Sequence, residues 1–361
     1  PRILRLLAAV CRIVRSHRLF PEAHPSQPSI SLKRPVDVQP QRLFVSARKP
    51  AVEVSSPTDS LSAAREKIYP RKVHGWFAAW RVSAVVALMG LFYGVCWLST
   101  DGRQWLLFDL PARKFNVLWW TFYPQDFLYL TFLLITAALA LFFFTALAGR
   151  LWCGYACPQS VYTEVFLWIE RRIEGDRLRQ QKLDRAPWSA RKFLKKGTKH
   201  GIWLLFALWT GFTFVGYFTP ITELGTRLVS FDLGPWETFW TLFYALATYG
   251  NAGWMREQVC IYLCPYARFQ SAMFDADTLV ISYDEARGEP RGSRRRGSAS
   301  KNLGECIDCT LCVQVCPTGI DIRDGLQYQC IACASCIDVC NTVMHKMGYE
   351  RGLVRYTTEK S

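Results

Sequence analysis

Eight cysteines in the stretch CIDCTLCVQVCPTGIDIRDGLQYQCIACASCIDVC, residues 306–340, form two runs of identical C-x2-C-x2-C-x3-C spacing. Three thiolates set this close can hold three iron corners of one cubane, but the fourth cannot fold back onto it and ligates the other cluster. The spacing therefore assigns Cys306, Cys309, Cys312 and Cys340 to one [4Fe-4S] cluster, and Cys330, Cys333, Cys336 and Cys316 to a second. Zinc ribbons use paired C-x-x-C knuckles instead of interlocked quartets, so zinc is the weaker reading. Pro317 follows the first run, and Asn341 takes that place after the second.

A second pattern lies upstream. CGYACP at residues 153–158 and CIYLCP at residues 260–265 both read C-x-Y-x-C-P. Cysteines four apart fall about one turn apart on a helix face, so each pair can share a soft metal, and Pro158 or Pro265 makes the adjoining backbone irregular. Cys153, Cys157, Cys260 and Cys264, brought together, supply four thiolates, which suits a further iron-sulfur cluster or Cu(I). Buried idle thiols or redox-sensitive pairs are the alternative. Met89 with Cys96, and Met255 and Met273 beside the second motif, read as core packing. The five histidines, His17, His24, His74, His200 and His345, all lie outside the apolar segments, so a bis-histidine haem in the membrane has no ligands. No G-x-G-x-x-G fingerprint is evident, which argues against a built-in nicotinamide or flavin site.

The elements that must position these cysteines are apolar. Half of the 361 residues are hydrophobic, which excludes a disordered chain, and the apolar residues are concentrated in runs of the length a membrane helix needs, about 20 residues. Four segments qualify: 76–99, 127–148, 201–218 and 236–254, the last the weakest because it carries Glu237 and several small or polar residues. Helix pair one leads into CGYACP and helix pair two into CIYLCP, so a duplicated hairpin is expected, each copy carrying two cysteines at the end of its second helix. The expected fold is a mainly α membrane protein: a four-helix transmembrane bundle plus a small α+β ferredoxin domain of the bacterial two-cluster type.

Domain limits follow from composition: a poorly ordered tail at 1–65, a transmembrane domain at 66–275, a linker at 276–302 rich in Gly, Ser and Arg, the dicluster domain at 303–346, and a polar tail at 347–361. The opening PRILRLLAAVCRIVR resembles a basic and apolar signal region but is followed by no small-residue cleavage site, and Cys11 reads as an idle thiol. The formal charge of +15 raises nucleic acid as a partner. Its placement argues otherwise, because the densest basic block, Arg171 to Lys199, is hemmed in by apolar spans and marks the inner side of a membrane. Both chain ends and the ferredoxin domain are thus expected in the cytoplasm.

At EKIYPRKVHGWF, FYPQDF, GRLWCGYACPQSVYTE, WIERRIEGDR, ATYGNAGWMREQVCIYLCPYARFQSAMFD, ISYDEARGEPRG and the eight-cysteine module, the chain resembles the cytochrome c oxidase accessory proteins of the CcoG, FixG and RdxA type. These are polyferredoxins of the bacterial inner membrane, and the resemblance covers about residues 66–345. It implies reduction of Cu(II) to Cu(I) for assembly of cbb3-type cytochrome c oxidase, an oxidoreductase activity of cupric reductase type. It also implies that the twelve cysteines named above are the site residues, with Cys153, Cys157, Cys260 and Cys264 on the catalytic side. Family members usually continue into another membrane helix and an extracytoplasmic domain, which the sequence does not show after Ser361. Expected partners are oxidase assembly factors or copper carriers, a cytoplasmic electron donor and membrane lipid, with a homodimer left open and no nucleic acid. A pure electron-transfer subunit, linking a cytoplasmic donor or quinol to a membrane or periplasmic reductase without metal reduction, is the alternative.

Overall fold

The computed structural model describes residues 67–294 and 303–358. The expected N-terminal tail with Cys11, and residues 295–302 of the expected linker, lie outside the described residues.

Helix α1 spans Trp76–Val95. Gly75, at its N-cap, has no side chain to take the orphan N–H groups of the first turn. Asp338, from the ferredoxin module, takes them: its carboxylate accepts from the backbone N–H of Phe77 (3.3 Å) and Ala78 (2.7 Å). The connection that follows is not an open loop. It forms β1 (Ser99–Thr100) and β2 (Arg103–Gln104), then a meander of β3 (Leu106–Asp109), β4 (Lys114–Val117) and β5 (Trp120–Phe122). Buried Gln104 fastens it to the other hairpin, donating to the carbonyl of Gly216 (2.8 Å) and accepting from the N–H of Ile221 (3.2 Å).

Helix α2 spans Phe127–Ala148. The first cysteine motif occupies the short α3 (Leu151–Tyr155) and the start of α4 (Pro158–Glu174). Then come α5 (Arg177–Arg185), α6 (Ala190–Val215), α7 (Ile221–Val229) and α8 (Pro235–Thr248). Helix α8 runs on into π-helical turns at Tyr249–Met255 and Val259–Leu263, and α9 (Pro265–Ala272) follows. Then follow β6 (Val280–Tyr283), α10 (Glu285–Gly288), α11 (Leu311–Val315), α12 (Ser335–Met347) and β7 (Val354–Thr357), with single 3-10 turns at Pro124–Asp126 and Ile322–Asp324.

All four apolar segments are helical, and α1 and the stretch Pro124–Ala148 are long and apolar enough to cross a membrane. Three of them pack together. Gly211 lets α6 approach α8 so closely that a Cβ there would lie 2.2 Å from the carbonyl oxygen of Thr241, the small-residue contact typical of helices in lipid. Tyr93 on α1 shares a 2.7 Å hydrogen bond with Thr210 on α6, and Trp203 on α6 donates to the Phe166 carbonyl of α4 (3.1 Å). The expected four-helix bundle is not what α2 forms: within that helix only Thr145 is buried. FLYLTFLLITAALALFFFTALA is apolar on every side, so its sequence specifies no contact face and the helix requires an apolar environment all round.

The expected linker and C-terminal tail also differ. Strands β6 and β7, one from each, pair antiparallel with Val280 opposite Thr357 and Tyr283 opposite Val354, and Ile281, Leu353 and Val354 are buried in the ferredoxin core. The ferredoxin module is therefore an α+β unit closed by its own flanks, and it is docked rather than tethered. Besides Asp338, Arg81 on α1 donates to Ser335 (2.6 Å), and Arg177 on α5 donates to the Gln314 carbonyl (3.2 Å).

The basic block is partly internal. Glu170 and Glu174 on α4 are 1% exposed and meet Lys199 on α6 at 3.3 and 2.9 Å, while Glu170 also takes Arg256 at 2.8 Å. Lys67 and Lys196 bridge this pair to Asp184 on α5, at 3.0 and 2.5 Å. Burial alone would raise the Glu170 carboxyl, but Arg256, then Lys67 and Lys199, override it and hold it at about 2. Its stabilising contribution is complete above the ordinary carboxylate value of 4.5 and disappears as pH falls towards 2. Glu170→Gln should therefore cost about 3 kcal/mol near neutral pH, because Arg256 and Lys199 stay buried with less counter-charge. Thermal unfolding in detergent should show that loss at pH 7, and it should narrow as both proteins are taken below pH 4. Equal melting at pH 7 would mean the network contributes nothing.

Candidate iron-sulfur centres and their junction

The eight-cysteine module divides as its spacing requires. Cys306, Cys309, Cys312 and Cys340 line one cavity, and Cys316, Cys330, Cys333 and Cys336 line another, with Cys312 between them. The two runs share a backbone device. Asp308 and Thr310 in the first, and Ala332 and Ala334 in the second, all have φ between 52° and 58°, at equivalent places. A left-handed conformation costs a non-glycine residue roughly 1–2 kcal/mol, so four such residues in register mark a shape that the bound group must repay. Burial pushes Cys312 up to about 11 and Cys330 and Cys340 up to about 12, with neighbouring cysteines adding for Cys340. To hold a metal centre these thiols would have to release their protons on loading.

The membrane-edge motifs converge. Cys157 and Cys264 hold equivalent positions: each is the extended N-cap (ψ 128° and 111°) of a helix that begins with proline, α4 and α9. The paired cysteines do not share one continuous helix, as their spacing suggests. Proline drives the preceding residue out of the helical region, so the chain turns at Cys157 and again at Cys264. Burial raises Cys153 to about 11 and Cys260 to about 12; for both, Cys157 is the next cause, and Cys264 also acts on both. The four sulfurs thus feel one another. Among the described residues no three Cys, His, Asp or Glu side chains converge on a single-ion site. Four thiols brought together by two equivalent motifs can ligate a multi-iron cluster. Gln270 on α9 fits that reading: it is fully buried, its Oε1 accepts from the Cys153 thiol (3.3 Å), and its Nε2 has no partner, a donor left over for a sulfide.

The two regions touch through their backbones. A Cβ on Gly154 would lie 2.7 Å from the Ile331 carbonyl oxygen, and 3.0 Å from both the Ala332 oxygen and Cys333 Cα. Only glycine fits between α3 and the second cluster loop. Tyr356 on β7 steadies that loop by donating to the Ala332 carbonyl (2.6 Å).

The family described as 4Fe-4S dicluster domain matches residues 255–359, and that described as 4Fe-4S binding domain matches residues 130–175. The first contains Cys260, Cys264 and the eight-cysteine module, and the second contains Cys153 and Cys157. The nitrogen fixation protein FixG of Rhizobium meliloti is 42% identical over 301 residues, covering 81% of this chain and 57% of that protein. RdxA of Cereibacter sphaeroides is 43% identical over 308 residues, covering 83% of this chain and 64% of its own length. The chain belongs to the FixG and RdxA family. It spans roughly three fifths of the length of these relatives. A more distant relative, the methylamine utilization ferredoxin-type protein MauN of Methylorubrum extorquens, is 25% identical over 184 residues, covering 51% of this chain and 53% of that protein. No solved structure matches. The chain is thus an iron-sulfur protein of ferredoxin type, and its matched families cover all twelve cysteines that the spacing singles out.

Sequence reasoning missed the residues that join the centres. Arg150, Gly154, Gln270 and Asp338 all act across more than 100 positions of chain or on a partner's backbone. One signal was present in the repeat: each C-x-Y-x-C-P motif follows a buried arginine, Arg150 before the first and Arg256 before the second. Gly154→Ala should drive α3 off the Ile331–Cys333 loop at a cost of about 2 kcal/mol. The measurable result is loss of iron from the membrane-edge site or the second quartet on dilution, with the first quartet retained. Full iron retention and an unchanged melting temperature would show the contact to be slack.

Proposed function

We propose that this chain is a multi-pass protein of the bacterial cytoplasmic membrane that takes single electrons from a low-potential cytoplasmic donor and reduces Cu(II) to Cu(I) for assembly of cbb3-type oxidase. The observation that carries the reading is the backbone contact at Gly154, which leaves no side chain between the Cys330–Cys336 loop and the first C-x-Y-x-C-P motif. Such proximity has an evident use only if electrons cross there. Clusters, when bound, supply one-electron carriers of low potential. The residues contribute placement: Cys306, Cys309, Cys312 and Cys340 hold the outer centre, Cys316, Cys330, Cys333 and Cys336 the middle one, and Cys153, Cys157, Cys260 and Cys264 the membrane-edge one.

Copper enters as substrate. Each turnover consumes one electron from the donor and converts one Cu(II) to one Cu(I), with no proton required. Sulfur ligands favour the reduced, softer ion, which adds driving force at a thiolate-rich edge. The apolar α1 and the stretch Pro124–Ala148, each long and apolar enough to cross a membrane, support a membrane-surface position for this edge, and the basic residues around α5 favour the cytoplasmic side. The likeness to the ferredoxin-type MauN over half of the chain favours a second reading, electron delivery to a protein partner without metal reduction.

The test is a double substitution, Cys157→Ser with Cys264→Ser, in anaerobically prepared full chain. The parent should bind about twelve irons and the variant about eight, by the four-per-cluster rule. Copper reduction with a chemical donor should then be lost while the eight-iron module keeps its spectrum. Copper reduced at the parental rate by the variant would overturn the proposal and leave the electron-delivery reading.

A further inference from the structure

Arg150 follows α2 and precedes the first motif by three residues, and it is 4% exposed. Its guanidinium reaches two elements of the junction, the second quartet's loop and α9. One nitrogen, Nη1, donates to the carbonyls of Tyr328 and Cys330 in the second quartet's loop, and Nη2 donates to the carbonyl of Ala267 in α9, just beyond the second motif. Nε is buried without a partner.

What Arg150 lacks is a counter-ion. Glu170 answers Arg256, and Glu164 answers Arg81, yet among the described residues no carboxylate lies within ion-pair distance of Arg150. A buried cation without a carboxylate is costly unless another anion faces it. The neighbours that become anionic are thiols. Arg150 stands three residues before Cys153, bonds the Cys330 carbonyl directly and bonds the carbonyl of Ala267, three residues after Cys264. These cysteines belong to two different sets, the membrane-edge quartet and the middle one.

We infer that Arg150 is a positioning residue for electron transfer, clamping the membrane-edge and middle cysteine sets at one separation and raising the reduction potential of both with its unpaired buried charge. The inference rests on the reading that both sets hold clusters. Each such centre gains one negative charge when it accepts one electron, and the fixed cation stabilises that reduced state. The electron leaves the middle set as it arrives at the membrane-edge set, so the net charge beside Arg150 stays constant during transfer. The arginine thus favours loading the pair without holding the electron on one side.

Arg150→Gln removes the charge, and Arg150→Lys keeps it while giving up the forked contact. Each is compared with the full, reconstituted parent by iron content and by potentiometric titration followed by electron paramagnetic resonance. The Gln variant should retain about twelve irons by the four-per-cluster rule. It should titrate at more negative potential in both the middle and membrane-edge centres, with the outer centre unmoved. The Lys variant should keep the parental potentials and lose only transfer rate, about tenfold, in flash-reduction kinetics. Unshifted potentials in a loaded Gln variant would overturn the inference. Should the Gln variant fail to load, the Lys variant decides: parental loading and potentials support the role of the charge, and failure or shifted potentials reduce Arg150 to a structural clamp. A parent that binds only about eight irons would sink the cluster reading of the membrane edge separately. The Arg150 inference would then be decided on the middle centre alone.

Discussion

Gly154 against Ile331, Ala332 and Cys333 is the contact on which the other arrangements depend. With a side chain there, α3 would stand away from the ferredoxin loop, and Arg150, just before α3, would lose its bonds to the Tyr328 and Cys330 carbonyls. The contact is possible because the chain turns sharply at both ends of α3, at Gly149 (φ +55°) and at the extended Cys157. The helix between is only five residues long, and a short element can lie across the loop where a long one would collide with it.

Around that contact, polar and apolar forces have separate tasks. Between the apolar helices, small residues and a few hydrogen bonds make the close contacts. Gly211 under Thr241 and Tyr93 with Thr210 are of that kind. At the membrane edge the balance reverses, and ionic groups carry the load: Glu170, Glu174 and Asp184 are interleaved with Lys67, Lys196, Lys199 and Arg256. Arg256 itself sits in the left-handed region (φ 44°), held by Glu170 and by the Gly253 carbonyl, and it fixes the π-helical entry to the second cysteine motif.

The division of the eight cysteines was legible because ligand spacing is a local constraint written in consecutive residues. The two C-x-Y-x-C-P motifs were legible as a repeat, and the turn at each proline followed from the chemistry of proline. The docking of the ferredoxin module was not, since Asp338 and Ala78 are 260 positions apart and neither is unusual in its own neighbourhood. Strands β6 and β7 escaped for a similar reason: four residues each, set in polar sequence, they acquire meaning only when paired. The basic block was legible by its charge, while its burial depends on Glu170, one residue before the block begins. Helix α2 shows the converse limit, for a uniformly apolar sequence reveals its solvent and not its neighbours.

The carboxylate of Asp338 at the start of α1 has a consequence for the order in which the molecule matures. Helix α1 leaves the ribosome well before the residue that completes its N-terminal turn, which lies some 260 positions later in the chain. Its two orphan amides remain open during synthesis of everything in between. They close only when α12 is in place, and α12 carries Cys336 and Cys340, one ligand candidate for each ferredoxin centre. Completion of the first turn of α1 is therefore coupled to the folding of the cysteine-bearing α12.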